Sequence, residues 1–315
     1  MSTDQSKASD AVLPGLAVVI LNWRRAEETS ACLRSLLQQR GRPEWTVVVD
    51  NGSSDGSDER LAGEFPTVEV LVNSRNLGYA GGNNRGLRHA LDLGAATILV
   101  LNNDTVLHPD ALTALNTAAR EPGVGAVGPK IYYRRAGQER LWSAGGHVDW
   151  SNGTTTYRGG HELDAGQYDE PADVHYLTGA AILFRAETLD QVGLFDPDYF
   201  LVFEDTDWSV RARSQGYRLR YEPSAVIWHK VSVSFGGEKS LRYRYYFMRN
   251  NLLFVFKRYP RTQWPRVYPR LLRRDAHFVW QLHRRRQPNA AAEAKITLRA
   301  YADFLFRRWG GPRVL

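Results

Sequence analysis

The sequence predicts an α/β protein: an open, doubly wound, mostly parallel sheet followed by a helical, strongly basic C-terminal extension. Two observations carry the sheet, and a third sets the extension apart. Four short apolar runs without polar alternation, Leu16–Leu21, Trp45–Val49, Val68–Val72 and Thr97–Leu101, suit strands covered on both faces. Helical patterns separate them, over Ala26–Gln39, in a shorter stretch after Ser57, and over Gly82–Leu93. Such alternation winds a parallel sheet through right-handed crossovers. The charge then changes sign along the chain. A net +7 combines +16 from Lys239–Leu315, where nineteen Lys and Arg face Asp275, Glu293 and Asp303, with −9 from residues 1–238.

The order of elements follows. Residues 1–14 are expected to be a disordered leader, with Pro14-Gly15 opening the first strand of a domain over 15–237. After the fourth strand, Pro109 begins a helix at its N1 position, running to about Arg120. Residues 124–184 read as strands and loops rich in Gly, Tyr and Trp. A helix around Glu187–Gln191 leads to a turn at Phe195-Asp196-Pro197, then to a helix over Asp205–Gln215 and strands at Arg218–Tyr221 and Ala225–Trp228. The extension, 238–315, is helical from Ser240 and broken by Pro260, Pro265, Pro269 and Pro288.

Composition excludes several classes. At 315 residues, with 43% hydrophobic residues, nine Trp and fifteen Tyr, the chain is a folded globular protein. Cys32 is its one cysteine, so neither an internal disulfide nor a cysteine-based zinc site is available, and a reducing compartment is expected. The polar, acidic start carries no secretory signal, and no run approaches the roughly 18 apolar residues of a membrane span. Gly123-Val124-Gly125-Ala126-Val127-Gly128 matches the dinucleotide fingerprint G-x-G-x-x-G. It stands after a helix and before a strand, the reverse of what pyrophosphate binding needs.

Ligands of doubly wound sheets bind at the carboxyl ends of the strands. There the four runs are followed by Asn22-Trp23-Arg24, by Asp50-Asn51-Gly52-Ser53, by Asn76-Leu77-Gly78-Tyr79-Ala80-Gly81-Gly82-Asn83-Asn84, and by Asn102-Asn103-Asp104. All four polar clusters should converge on one edge. The second offers acceptors for a base or ribose, or an Asx turn to itself. The glycines of the third would let backbone N–H groups approach a phosphate at a helix N-terminus. Farther on, Glu204, Asp205 and Asp207 crowd the start of one helix.

These segments resemble the GT-A fold of family 2 glycosyltransferases, and more closely the bacterial branch with rhamnosyl- and galactofuranosyltransferases. The resemblance lies in VVILNW (18–23), VVVDNGSSDGS (47–57), NLGYAGGNNRGL (76–87), LVLNNDTVLHPDAL (99–112), LTGAAILFRAETLDQVGLFD (177–196), FEDTDWSVRARSQGY (203–217) and IWH (227–229), in the expected order. It implies an inverting, metal-dependent transfer from a nucleotide diphosphate sugar, dTDP- or UDP-linked, with rhamnose the favoured sugar. Donor contacts would come from Asn22, Asp50, Asn51, Asn76, Gly81, Asn83, Asn102 and Asn103. Asp104, at the family's Asp-x-Asp position, and His229 would hold Mg²⁺ or Mn²⁺. Asn102 departs from that pattern, bringing an amide where an acid is usual. Asp205 would be the catalytic base, beside Glu204 and Asp207 as acceptor-side or helix-start carboxylates.

The resemblance further implies a glycan or polyprenyl-linked acceptor and a role in cell envelope polysaccharide synthesis. The basic, aromatic-rich extension suits peripheral attachment to an anionic surface, expected at the cytoplasmic face of the plasma membrane. No recognisable nucleic-acid module accompanies its charge. Two other readings stand beside this one. A non-catalytic sugar-nucleotide or membrane-binding module should lack Asp104 or Asp205, which are present. A nucleotidyltransferase should carry a basic phosphate loop after the first strand, and Asn22-Trp23-Arg24 supplies none.

Overall fold

The computed structural model describes residues 11–134, 139–230 and 240–311. Strand β1 (Ala11–Asn22) starts within the expected leader, because Ala11–Leu13 pair in parallel with Gly41–Pro43 at the start of β2 (Gly41–Asp50). Pro14-Gly15 marks a register shift inside β1 instead of its beginning: pairing resumes at Ala17 opposite Trp45, with Gly15 at φ 75°. Residues 1–10 of that expected leader lie outside the described residues. Helices α1 (Ala26–Leu37), α2 (Ser57–Glu64) and α3 (Gly78–Asp92) alternate with β2, β3 (Glu69–Val72) and β4 (Thr97–Asn102). Strands β3, β2, β1 and β4 lie side by side, all parallel, as the apolar runs predicted.

Next come β5 (Thr105–Leu107), α4 (Ala111–Ala118), β6 (Val124–Tyr133), β7 (Leu141–Ser143), β8 (Gly146–Asp149), β9 (Thr154–Tyr157), β10 (Ala172–Asp173), β11 (Ala181–Arg185), α5 (Ala186–Val192), α6 (Glu204–Ser214) and β12 (Arg218–His229). Strand β11 inserts antiparallel between β4 and β6, and β12 runs parallel to β6 beyond it. The sheet is therefore mixed, with a parallel half formed by β3, β2, β1 and β4. Strands β8 and β9 form a separate antiparallel ribbon. Val124–Gly128 of the G-x-G-x-x-G segment lies in β6, as its context predicted.

Apolar layers cover both sheet faces. Leu33, Leu36, Leu61, Leu112 and Leu115 pack with Leu16, Val18 and Ile20 on one side, while Leu87, Leu189 and Trp208 join Ala17, Val19 and Val100 on the other. Cys32 sits in the first layer, fully buried, its Sγ 3.6 Å from Thr105 Oγ1, and burial pushes its thiol up to about 12. Helix α3 lies unusually close to the sheet. A Cβ on Gly86 would stand 2.3 Å from Val19 Cγ1, and one on Gly82 would stand 2.4 Å from Leu21 Cδ1.

The extension is part of this body. Helix α7 (Leu241–Arg258) buries Leu252, Leu253, Phe254 and Val255 against Val148, Tyr176, Tyr199 and Phe203. Three of its cations point inward. Arg249 is 1% exposed, Lys257 bonds to Asp196 and Asp198, and Arg258 Nε lies 2.6 Å from Asp207 Oδ1. Helices α8 (Trp264–Arg284) and α9 (Ala290–Leu305) pack outside α7. The expected break at Pro269 does not occur. That proline lies in the second turn of α8, where its missing N–H removes one backbone bond without stopping the helix.

Candidate active site

The carboxyl ends of β1, β2 and β4, the start of α3 and the start of α6 surround one cavity of about 290 Å³. Of the residues singled out in the sequence, Asn51, Asn76, Asn102, Asn103, Asp104, Glu204, Asp205 and His229 line it. Asn22, Asp50, Gly81, Asn83 and Asp207 stand behind that lining.

The edge where β1 and β2 end is braced by its own side chains. Parallel register sets Asn22 beside Asp50, and Asn22 Nδ2 donates to Asp50 Oδ1 at 2.7 Å. Asp50 Oδ2 accepts from the Ser53 backbone N–H at 2.9 Å, closing a turn on itself. Asn22 Oδ1 accepts from Thr29 at 2.8 Å, and Thr29 also accepts from Asn103 Nδ2 at 3.0 Å. Asn51 donates to Asn76 Oδ1 and to the Gly78 carbonyl, and accepts from Asn73 and from the Leu77 N–H. Asn73 carried no signal beyond one more Asn after an apolar run.

The glycines of α3 serve packing within the protein. Gly78 takes φ 76°, and a Cβ there would meet Phe200 at 2.4 Å, so it lets α3 start against the loop before α6. Gly82 and Gly86 serve helix-to-sheet packing, as described above. Asn83 donates to the Tyr79 carbonyl, and its buried Oδ1 has no partner among the described residues. Asn84, which carried no separate assignment, clamps the Phe195 backbone with both ends of its amide.

Asp104 and His229 meet because the chain reverses through β5, which pairs antiparallel with the end of β12 and sets Thr105 opposite His229. His229 Nε2 lies 3.0 Å from Asp104 Oδ1 and 3.4 Å from Asn102 Nδ2, with the Trp142 ring edge-on at 4.6 Å between centroids. The His229 Nδ1 is buried with no partner among the described residues. An oxygen–nitrogen pair of this kind fits Mg²⁺ or Mn²⁺. Among the described residues no group of three or more His, Cys, Asp and Glu forms a metal cage, so most of the coordination would come from the ligand that brings the cation.

Across the cavity, Asp205 sits in the first turn of α6. Its Oδ2 accepts from the Gly179 N–H at 2.7 Å and its Oδ1 from the Thr206 N–H at 2.6 Å. Burial raises its pKa above the ordinary aspartate value, and these hydrogen bonds only partly offset that. Burial, then the neighbouring Asp205 charge, push Glu204 well above the usual carboxylate range, and its Oε2 has no partner among the described residues. Asp207 differs. It is fully buried and accepts from Tyr199, Arg211 and Arg258, so the helix turn points it into the protein and away from the acceptor side.

The rest of the wall was not assigned from the sequence. Trp142, Tyr157 and Tyr176 reach it from β7, β9 and the segment before β11, and Tyr243 and Phe247 from α7. Other lining residues fall inside the quoted motifs without a role of their own, Trp23, Gly78 and Tyr79 in the first and third clusters, Thr178, Gly179 and Ala180 in the Leu177–Asp196 motif, and Phe203 and Thr206 in the Phe203–Tyr217 motif.

Comparison with known proteins agrees with this geometry. The pattern of the family described as "Glycosyltransferase like family 2" matches residues 14–247. The chain is 29% identical over 247 residues to an N-acetylglucosaminyl-diphospho-decaprenol L-rhamnosyltransferase of Mycobacterium tuberculosis, covering 71% of this chain and 78% of that protein. It is 29% identical over 189 residues to galactofuranosyltransferase GlfT1 of Mycolicibacterium smegmatis, covering 59% and 61%. Among solved structures, GalNAc-T7 with UDP, GalNAc and Mn²⁺ superposes with a TM-score of 0.59 at 16% identity, over 76% of this chain and 47% of that one. A mannosyltransferase of Pyrobaculum calidifontis with GDP-Man and Mn²⁺ gives 0.54 at 18%, over 93% and 79%. The fold is that of GT-A enzymes, and with the family pattern spanning most of its length the chain belongs to glycosyltransferase family 2.

Proposed function

We propose that the protein transfers a sugar, rhamnose first among candidates, from a dTDP- or UDP-linked donor to a hydroxyl of a glycan or polyprenyl-linked acceptor, with inversion. The observation that carries this reading is the pairing within one cavity of a fixed carboxylate, Asp205, with the Asp104–His229 contact. The nucleoside would lie along the donor edge, against Asn51 and Asn76, on a floor stiffened by Asn22 and Asp50. Bound Mg²⁺ or Mn²⁺, held by Asp104 and His229 beside Asn102, would neutralise charge on the departing diphosphate.

Asp205 takes the proton of the acceptor hydroxyl as that oxygen bonds to the anomeric carbon. The bond from that carbon to the diphosphate oxygen breaks on the opposite face, and the nucleoside diphosphate leaves with the electron pair. The two N–H groups on Asp205 fix its orientation, and its raised pKa strengthens it as a base. Trp142, Tyr157, Tyr176, Tyr243 and Phe247 give the acceptor side apolar surface suited to the face of a sugar ring.

Attachment at the cytoplasmic face of a membrane belongs to the same proposal. Among the described residues no helix is long and apolar enough to cross a membrane. Helices α8 and α9, with the turn after them, expose Leu272, Trp280, Leu305 and Phe306 among exposed Arg261, Arg266, Arg273 and Arg307.

The test is release of nucleoside diphosphate from a panel of nucleotide sugars, with Mg²⁺, with Mn²⁺ and with chelator. One donor turned over with inverted product, and Asp104→Ala weakening nucleotide binding only when metal is present, is the expected result. Full activity in excess chelator would refute the metal role.

A further inference from the structure

The loop that delivers Asp205 is strained. Phe200, Val202 and Phe203 take φ values of 63°, 68° and 78°, three non-glycine residues in the left-handed region within four positions. For a β-branched valine this is an outlier, and such geometry persists only where surrounding groups enforce it.

The enforcing groups belong to α7. Asn250 Nδ2 donates to the carbonyls of Tyr199 at 2.8 Å, Leu201 at 2.7 Å and Val202 at 2.8 Å. Arg249 Nη2 donates to the carbonyls of Asp198 at 3.1 Å and Tyr199 at 3.0 Å, and its Nη1 to Gly310 at 2.9 Å. Arg249 Nε donates to Asn250 Oδ1 at 2.9 Å, which fixes the way the amide faces. Both side chains are buried, at 1% and 0% exposure. Of the four consecutive carbonyls from Tyr199 to Val202, three accept from Asn250, and that of Phe200 accepts from the Ala80 N–H at 3.3 Å. The Phe203 carbonyl then accepts from the Asp207 N–H at 2.8 Å and starts α6, with Glu204 and Asp205 directed into the cavity.

We propose that Asn250, oriented by Arg249, is a positioning residue for transfer: it holds Tyr199–Phe203 in the left-handed path that aims Asp205 at the acceptor. This rests on the base role given to Asp205. It makes α7 part of the catalytic apparatus, although none of its residues has to touch the reacting atoms for that purpose.

The experiment compares Asn250→Ala with the unaltered full chain. Turnover per folded molecule should fall by about 10²-fold, the cost of misplacing a reacting group by roughly 1 Å. The Kd for UDP with Mn²⁺ should not change, because its contacts lie on other strands. Amides 199–206 should lose hydrogen-exchange protection while those of β1 and β4 keep theirs. Adding Val202→Gly should restore part of the turnover, since glycine adopts that φ without strain and needs less holding. If Asn250→Ala does not fold, Asn250→Ser retains one donor and should give a smaller loss of the same kind. Wild-type turnover, or a UDP affinity that falls in step with turnover, overturns the proposal. Asp205→Asn run alongside separates the two readings. Retained activity there defeats the base assignment, whereas unchanged protection at 199–206 in the Asn250 variant defeats the holding role itself.

Discussion

At the edge proposed to take the donor, Asn22 hydrogen-bonds to Asp50 and Asn73 to Asn51 across the ends of adjacent parallel strands. In the acid loop, Tyr199–Phe203, the carbonyls of Tyr199, Leu201 and Val202 instead take their partners from Arg249 and Asn250, 48 to 51 positions farther along the chain. One wall of the cavity is self-supporting and the other is held from outside. The difference teaches where to look for distant effects on activity. Changes remote from the cavity should disturb the acid side, while the donor side should respond only to changes within itself.

The largest expected effect tests that asymmetry at its catalytic end. Asp205→Asn should lower turnover by about 10²–10⁴-fold while nucleotide binding stays near normal, because the amide keeps the shape and loses the basicity. A residual rate above about a tenth of wild type, with the fold intact, would break the comparison. The pH profile sharpens it. Since burial raises the Asp205 pKa, turnover should fall on the acid side at a pH above that of an ordinary aspartate, near 3.9. The linkage has the opposite sign to a salt-bridged acid. The folded state holds this proton to higher pH than the unfolded one, so its contribution to stability is lost as pH rises between the two values.

Asp207 stands two residues away and should behave in the contrary manner. Asp207→Asn removes the charge facing Arg211 and Arg258 and should cost about 3 kcal/mol of stability, read as a lower urea midpoint. Turnover per folded molecule should hold. A loss of turnover without loss of stability would place Asp207 in the chemistry after all.

The donor half was legible in the sequence for a physical reason. Parallel strands covered on both faces read as unbroken apolar runs, and the fold rule then puts whatever follows them on one edge. Asp104 was placed on that edge in this way, whereas His229 came from the family resemblance at IWH (227–229), and β5, which brings the two together, was too short to read. Asp207 was grouped with Asp205 because both open the same helix, and only the packed arginines separate them. Composition does not say whether a missing Cβ in α3 makes room for a ligand or for the sheet, and the close approach of Gly82 to Leu21 and of Gly86 to Val19 was therefore not legible. The aromatic wall and the α7 clamp were illegible, since both depend on long-range packing of loops and helices with no periodic signature.

Charge in the extension was overread for a related reason. Counting cations did not reveal that Arg249, Lys257 and Arg258 face inward. The smallest expected effect concerns those that remain. The protein should sediment with anionic vesicles and not with neutral ones, less so as salt rises. Arg273→Gln should weaken this by about 1 kcal/mol, close to fivefold, whereas equal binding to both vesicle types would leave α8 and α9 as a solvated face.

The isolated thiol of Cys32 has a practical consequence. Lying between α1 and the β4–β5 reversal, with burial holding it protonated up to about 12, it is closed to alkylating reagents while the sheet is intact. Because it is the chain's only cysteine, every labelling event reports that region coming apart. Labelling kinetics thus give the opening free energy of the donor half directly, with no introduced probe and no turnover required.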